Sequence, residues 1–376
     1  MKFKHKKETS TIWVNARFLS RPVTGVERVA RELLGALASR FLDQDGGWQA
    51  RGHRYELKLV APTSCKADSP WPNLPLVRAG IFGGHLWEQI DLPRLSKGDW
   101  LLNLCNTGPL LKRRQILYLH DPQPIVMPDN FTFAFRAWYR LLLHVAGHSA
   151  AHVLVNSHFT RLELQRYVGL HTNKLRVCYP GSEHVARDSA SACELTRFDL
   201  PDEPFLLAVA SANPNKNFAA VVRALALLGD EAPPCVIVGR TDQRQFGNVE
   251  LDNSRITHLG YVSDDELLAL YRRAMALVFP SFYEGFGLPP VEAMAAGCPV
   301  IASHTSAMPE VVGTAVEYCD PHDHRTLAEA ISRIARCPER RAGMIASGLR
   351  RARSFSWSES GEQLRRIITE AVGNTG

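Results

Sequence analysis

This sequence of 376 residues lacks any apolar stretch long enough to cross a bilayer. The richest apolar window runs from Leu141 to Val155, and three histidines interrupt it: His144, His148 and His152. The lysine-rich start, MKFKHKK, is followed by the polar segment ETST and not by the apolar core of a signal peptide. We therefore expect a cytoplasmic protein.

Strong charge and paired cysteines are also missing. The formal net charge of +6 is too small to indicate nucleic acid binding. The lysines at the start could be a frayed tail or an electrostatic contact to the inner face of a membrane, and both interpretations stay open. Eight cysteines include no CxxC pair, and several stand in apolar runs, so we expect buried reduced thiols and no zinc site.

Several cofactor motifs are absent. The sequence has no Gly-Lys-Ser/Thr phosphate loop and no complete dinucleotide fingerprint, which argues against a nicotinamide cofactor. Asp43 and Asp45 form a DxD, but they follow a predicted helix and precede two glycines, which is typical of a turn. The cluster His322, Asp323 and His324 is best explained as a helix cap. We expect no metal and no cofactor.

Alternation of short β-branched runs with longer helical patterns predicts an α/β fold with parallel sheets. The length exceeds what one hydrophobic core accommodates. We predict two Rossmann-like doubly wound domains facing a cleft, 1–185 and 186–355, with a polar linker after residue 181 and the closing helix, 356–376, packed back on the first domain. Ligands of such sheets bind at the carboxyl ends of the strands. Within the second domain, Ser263 and Glu266 predict a capping box.

The strongest motif is SFYEGFGLPPVEAMAAGCPVIAS, residues 281–303, which follows a predicted strand and opens a helix. Its glycines let the backbone approach a ligand, its prolines favour the first helical turn, and the free N–H groups there favour a phosphate. Glu284 could otherwise be a solvated loop residue, and Glu292 could simply complement the helix dipole. The candidates here are Glu284 as a catalytic residue and Gly285, Phe286, Gly287, Leu288 and Glu292 as donor-binding residues.

Two further candidates follow predicted strands. Lys216, in PNKN, would place a cation against a diphosphate, although a surface lysine is the simpler alternative. His120, in YLHDPQP, stands at the carboxyl end of a strand, where a ligand would lie, but a lone histidine is more often structural. Asp121 could orient the imidazole or cap the next turn, and the sequence does not decide between these roles.

The segment EGFGLPPVEAMA resembles the retaining glycosyltransferases of family four, which have the two-domain GT-B fold, and the resemblance extends to the closing FSWSESGEQL. It implies that Glu284 and His120 contact the donor sugar, Glu292 the ribose and Lys216 the diphosphate. Gly25, in RPVTGVER, is similar to the family's first glycine loop, which implies that it approaches the donor phosphates and the acceptor as a donor-binding residue. Any turn between a strand and a helix favours glycine, so that alternative stays open.

One position departs from this family's pattern. The usual Arg-Lys-Asn is Asn-Lys-Asn here, with Asn215 in place of the arginine. Arg240, which follows the strand CVIVG, is the candidate substitute.

The motif details resemble bacterial mannosyltransferases of polysaccharide assembly. They imply metal-independent transfer of a hexose with retention, with GDP-mannose as co-substrate and a saccharide or polyprenyl-linked saccharide as acceptor. Two alternatives stay open: a nucleotide-sugar 2-epimerase of the same fold, and a non-catalytic nucleotide-sugar-binding partner. The helix FAFRAWYRLLLHV is either an amphipathic core helix or a surface that meets a membrane.

Overall fold

The structure is a computed structural model that describes residues 9–187, 195–209, 213–239 and 255–373. The chain divides into two compact units: the first contains residues 1–181 and 356–376, and the second contains residues 182–355. The second unit begins at Ser182, earlier than the expected boundary at 186, because this residue is tied to its far end. The Ser182 N–H donates to the Phe355 carbonyl and its hydroxyl donates to the Ala352 carbonyl, each at 3.0 Å.

The first unit is built on an eight-stranded sheet in the order β2-β3-β1-β5-β6-β7-β8, with β4 paired to β3. Among the strands that the structure describes in this unit, only β2 pairs antiparallel. Strands β5 and β6 are buried along their whole length, as expected for parallel strands covered on both faces. The strands are β1 (Thr9–Asn15), β2 (Gly47–Ala50), β3 (His53–Ala61), β4 (Leu76–Arg78), β5 (Trp100–Asn103), β6 (Gln115–Leu119), β7 (His152–Val155) and β8 (Leu175–Val177).

Helices cover both faces of this sheet. The helices are α1 (Gly25–Arg40), α2 (Gly84–Leu86), α3 (Leu92–Leu95), α4 (Gln123–Val126), α5 (Phe133–Ser149), α6 (His158–Val168) and, at the end of the chain, α14 (Trp357–Gly373). A π-helical turn, Trp87–Asp91, joins α2 to α3. On one face α1 and α14 enclose a core with Ile12 and Leu34, and on the other α5 and α6 enclose one with Leu117 and Leu143.

The closing helix α14 packs closely on the first unit. A Cβ added to Gly361 would lie 3.2 Å from the Cβ of Ala36 on α1, so the two helices approach each other at a small residue. The Trp48 indole N–H donates to the Thr369 hydroxyl at 3.2 Å. The last helix of the sequence therefore completes the core of the first unit.

The second unit is built on a fully parallel sheet in the order β11-β10-β9-β12-β13-β14. Strands β10 and β11 extend to one side of β9, while β12 to β14 extend to the other, so the switch point lies between β9 and β12. The strands are β9 (Leu206–Val209), β10 (Cys235–Val238), β11 (Ile256–Gly260), β12 (Ala276–Phe279), β13 (Val300–Ser303) and β14 (Glu317–Cys319).

Seven helices are described in the second unit. They are α7 (His184–Arg187), α8 (Phe218–Leu228), α9 (Asp264–Arg273), α10 (Leu288–Ala295), α11 (Met308–Val312), α12 (His324–Arg336) and α13 (Pro338–Ala352). The capping box predicted at α9 is confirmed: the Ser263 N–H donates to the Glu266 carboxylate at 2.7 Å, and the Glu266 N–H donates to the Ser263 hydroxyl at 3.3 Å. None of the helices in the described ranges is both long and apolar enough to cross a bilayer.

Candidate active site

The switch point of the second sheet brings together two of the predicted residues. Lys216 lies in the turn after β9 and Glu284 in the loop after β12, and β9 and β12 are neighbours. The Lys216 ammonium donates to Glu284 Oε1 at 2.6 Å and lies 4.6 Å from the centre of the Phe279 ring. The side chains are 22% and 13% exposed, so solvent still reaches both partners of this ion pair.

Lys216 is the sole lysine of residues 182–355. Apart from histidines, the other basic side chains of this segment are arginines. An ammonium on a flexible stem can change partners more readily than a guanidinium fixed in a fork. The pair is therefore a polar contact that a ligand can reorganise.

Two asparagines fix the loop that carries Lys216. Asn215 stands at the position of the missing family arginine. Its side-chain amide donates to the Tyr283 carbonyl, and its backbone carbonyl accepts from the Phe282 N–H at 3.0 Å. Asn217 has a left-handed backbone, with φ of 53°, and its amide donates to the Pro280 and Pro321 carbonyls. Asn215 is 3% exposed, so it joins the β9 and β12 loops and offers no charge to a phosphate.

The glycine-rich turn before α10 also has a conformational basis, at Gly287, that the sequence did not indicate. Gly287 has φ of 87°, a backbone conformation that disfavours any side chain, and an added Cβ would also meet Met308. Gly285, Phe286 and Leu288 are buried. The Phe286 ring packs edge-on against Phe355, so this segment can offer a ligand its backbone but not its side chains.

The second glutamate, Glu292 on α10, is held by residues that the sequence did not indicate. Its Oε1 is 2.9 Å from His184 Nε2, and its Oε2 accepts from the Tyr271 hydroxyl at 3.3 Å. Glu292 is only 6% exposed. His184 stands in the segment interpreted from the sequence as a linker; the structure corrects this, because α7 packs on α10. The remaining candidate of this unit, Arg240, lies outside the described residues.

His120 follows β6 in the first unit and is 5% exposed. Burial lowers the pKa of His120 to about 4, so the imidazole is neutral at physiological pH. Its Nε2 lies 3.0 Å from the Leu104 carbonyl, which can only accept, so Nε2 carries the proton and Nδ1 is an acceptor. A ligand that contacts this ring would therefore meet a hydrogen-bond acceptor.

Asp121 and Gly25, two further residues that the sequence singled out, each have a local structural role. Asp121 caps the next turn, since its Oδ1 accepts from the Gln123 N–H at 3.0 Å. Gly25 is the first residue of α1, where Glu27 accepts from the Thr24 N–H at 3.2 Å. A Cβ added to Gly25 meets no described atom within 4 Å, so packing inside the chain does not require a glycine there.

A buried polar network at the switch point of the first sheet was missed by the sequence analysis. Glu88, 1% exposed, accepts from Arg17 Nε at 3.0 Å, Asn15 at 3.1 Å and the Thr107 hydroxyl at 2.7 Å, and lies 3.1 Å from His85 Nδ1. Burial would raise the pKa of Glu88, but these hydrogen bonds and the Arg17 charge together hold it below its ordinary value. Arg17 and Asn15 are 71 and 73 residues away from Glu88 in the sequence, so no local sequence signal predicts these contacts.

The described residues contain no group of three or more His, Cys, Asp or Glu side chains that could hold a metal ion. Burial raises the pKa of Cys178, Cys235 and Cys298 to about 12, so these thiols stay protonated. Asp43 of the DxD accepts from the Asp45 and Gly47 N–H groups and from Arg54, so it stabilises a turn.

Comparison with known proteins places this site in a family. Residues 197–351, which contain Lys216, Glu284 and Glu292, match the family model "Glycosyl transferases group 1". The O-antigen chain mannosyltransferase RfbU of Salmonella typhimurium is 31% identical over 239 residues, covering 62% of this chain and 64% of that protein. The O-antigen chain mannosyltransferase B of Escherichia coli is 32% identical over 258 residues, covering 65% and 67%.

Solved structures agree on the architecture. Sucrose-phosphate synthase from Thermosynechococcus elongatus superposes with a TM-score of 0.71 at 19% identity, covering 97% of this chain and 100% of that one. WaaG, a glycosyltransferase involved in lipopolysaccharide biosynthesis, does so with a TM-score of 0.67 at 16% identity, covering 96% and 99%. The predicted GT-B fold class, with two α/β units on parallel sheets, is confirmed. The chain belongs to the group 1 glycosyl transferases.

Replacement of Gly287 by alanine tests the turn before α10. Because the backbone there has a positive φ, Gly287→Ala should lower the free energy of unfolding of the second unit by about 1–2 kcal/mol. Gly343→Ala, on α13, is the matched control: its Cβ meets no described atom within 4 Å, and alanine should stabilise this helix by about 0.5–1 kcal/mol. Calorimetric unfolding should show opposite shifts; equal shifts would contradict this explanation of the turn.

The low pKa of His120 makes a prediction about acid stability. Between pH 6.5 and about 4 the unfolded imidazole takes up a proton that the buried one does not, so the first unit loses stability as pH falls. His120→Gln should remove up to about 3 kcal/mol of this pH dependence. All seven tryptophans lie in the first unit, so urea unfolding followed by tryptophan fluorescence at pH 7.5 and pH 4.5 isolates it. An unchanged difference between the two pH values would show that His120 is not buried as a neutral base.

Proposed function

We propose that this chain is a retaining glycosyltransferase that moves mannose from GDP-mannose to a saccharide or lipid-linked saccharide of a cell-surface polysaccharide. The observation that carries the proposal is the Lys216–Glu284 pair at the switch point of the second sheet, within the segment that matches the family. Ligands of doubly wound sheets bind at this place. A cation and a carboxylate side by side suit a ligand with a diphosphate next to a polyhydroxyl group.

Donor binding would exchange the partners of this pair. The Lys216 ammonium would turn from Glu284 to the diphosphate oxygens, and the Glu284 carboxylate would then accept hydrogen bonds from sugar hydroxyls. Both exchanges replace one charged hydrogen bond by another, so neither group is left without a partner. The positive charge also stabilises the diphosphate as it leaves.

The bond changes follow from retention. The bond between the anomeric carbon and the diphosphate oxygen breaks, and the acceptor oxygen bonds to the same face of that carbon. The acceptor proton passes to the departing phosphate oxygen, so this step requires neither a covalent enzyme intermediate nor a metal. His120 of the first unit, with Nδ1 as an acceptor, is suited to a hydroxyl of the donor sugar.

Mannose as the transferred sugar is supported by the relatives, several of which are named mannosyltransferases of O-antigen chains. The aligned stretches cover 64% and 67% of two of them and 21% of WbdA of Escherichia coli. Activity and substrates of the whole relatives therefore come to this chain as a proposal. Guanine is the base we expect.

A thermal-shift screen with GDP, UDP and ADP tests the donor. A ligand at a hundred times its Kd stabilises the folded protein by about 2.7 kcal/mol, and we expect GDP to give the largest shift. Lys216→Ala should weaken GDP binding about 10- to 100-fold, because it removes a charged hydrogen bond to the diphosphate. Lys216→Arg should retain part of the binding.

Arg223→Ala is the matched control, because it removes an exposed positive charge of α8 in the same unit. It should bind GDP as the wild type does. No shift with any of the three nucleotides, or unchanged GDP binding by Lys216→Ala, would contradict the proposed site. Formation of an epimer from GDP-mannose alone would favour the epimerase instead.

We also propose that helix α5 of the first unit contacts an anionic membrane surface. Phe133 is 78% and Leu141 46% exposed, and with Ala137 and Arg140 they share one helical face. The Arg136 guanidinium lies 5.8 Å from the centre of the Phe133 ring, so positive charge accompanies the apolar surface. Such a combination suits the boundary between headgroups and acyl chains.

Vesicle flotation tests this contact. The protein should float with vesicles containing anionic phosphatidylglycerol more than with vesicles of phosphatidylcholine alone, and added salt should weaken the binding. Phe133→Ser with Leu141→Ser should reduce the bound fraction several-fold, because less apolar surface is available. Leu162→Ser, at a residue of α6 that is 58% exposed, is the control. Equal loss in the control would show that α5 has no special role.

A further inference from the structure

The carboxylate of Glu292 is held from two sides by side chains of different elements. His184 Nε2 of α7 lies 2.9 Å from Oε1, and the Tyr271 hydroxyl of α9 lies 3.3 Å from Oε2. Glu292 and Tyr271 are buried, and the His184 side chain is only 9% exposed. We propose that His184 and Tyr271 are positioning residues that orient the Glu292 carboxylate toward the ribose hydroxyls of the donor nucleotide. This inference rests on the function proposed above.

His184 is attached to the same framework that carries Glu292. The preceding Ser182 donates from its N–H and its hydroxyl to the carbonyls of Phe355 and Ala352, at the end of α13. Helix α13 in turn packs tightly on α10, since a Cβ added to Gly348 would lie 3.2 Å from the Met294 side chain. The histidine and the glutamate therefore share one rigid support.

Tyr271 approaches the carboxylate from the opposite element. It stands in the last turn of α9, whose start is fixed by the Ser263–Glu266 capping box, and its ring is fully packed in the unit. A tyrosine has few rotamers, so a buried ring places its hydroxyl accurately. With one oxygen held by α7 and the other by α9, rotation of the carboxylate would cost a hydrogen bond.

Orientation matters here because a ribose diol presents two hydroxyl donors in a fixed geometry. A carboxylate has about four lone-pair positions, so the hydrogen bonds from His184 and Tyr271 are compatible with its accepting hydroxyl protons as well. Preorganised polar groups bind more tightly than mobile ones, since they lose less freedom on binding. The expected consequence is specificity for ribose hydroxyls, which a purely structural role for His184 and Tyr271 would not produce.

The test compares GDP with 2′,3′-dideoxy-GDP by isothermal titration calorimetry on the full chain. The wild type should bind GDP about tenfold more tightly than the dideoxy nucleotide, as expected for charged hydrogen bonds. His184→Leu and Tyr271→Phe should each reduce this preference to threefold or less, while binding of dideoxy-GDP stays within twofold of the wild type. His184→Gln, which can still donate, should keep the tenfold preference, and Glu292→Gln should lose it.

Two control variants remove comparable groups elsewhere. Tyr318→Phe removes a hydroxyl that donates to the Gly313 carbonyl in the same unit, and His171→Leu replaces an exposed histidine of the first unit; both should keep the wild-type ratio. The inference is overturned if His184→Leu and Tyr271→Phe keep the ribose preference, or if they lose affinity for both nucleotides by the same factor. If the wild type binds neither nucleotide, the proposed function itself fails.

Discussion

The ion pair between Lys216 and Glu284 is the interaction on which the functional interpretation depends. It exists because the strand order of the second sheet reverses between β9 and β12, so that the loops after these two strands are neighbours. Asn215 and Asn217 then fix the β9 loop to backbone carbonyls of the β12 loop and of the segment after β14. The charged pair therefore lies on a rigid base although its side chains reach solvent.

In the function that we propose, this arrangement lets the second unit bind a ligand that carries both a diphosphate and a sugar. A diphosphate needs a cation, and a sugar needs an acceptor for its hydroxyls; in the free protein these two groups satisfy each other. Glu292, on helix α10, is buried, and His184 and Tyr271 hold its carboxylate. The first unit, taken by itself, has a neutral imidazole at His120 and a buried charge network around Glu88.

Local signals in the sequence predicted a large part of this structure. The capping box at α9, the glycine turn before α10 and the alternation of strands and helices each depend on residues a few positions apart, which one sequence displays directly. Contacts between distant segments were not predicted. Lys216 and Glu284 are 68 residues apart, and His184 and Glu292 are 108 apart, so only the folded topology brings them together. The sequence showed that Asn215 stands where the family has an arginine. Only the structure shows that Asn215 connects the loops after β9 and β12.

The most direct test of the central claim uses the reactivity of Lys216, which is the sole lysine of residues 182–355. Acetic anhydride labelling, followed by mass spectrometry of the peptide that contains Lys216, should show protection by GDP but not by guanosine, because the diphosphate takes the ammonium as its partner. In the free protein, Glu284→Gln should increase the labelling, since the ion pair is lost. Labelling of Lys216 that GDP leaves unchanged, in a protein shown to bind GDP, would contradict the account.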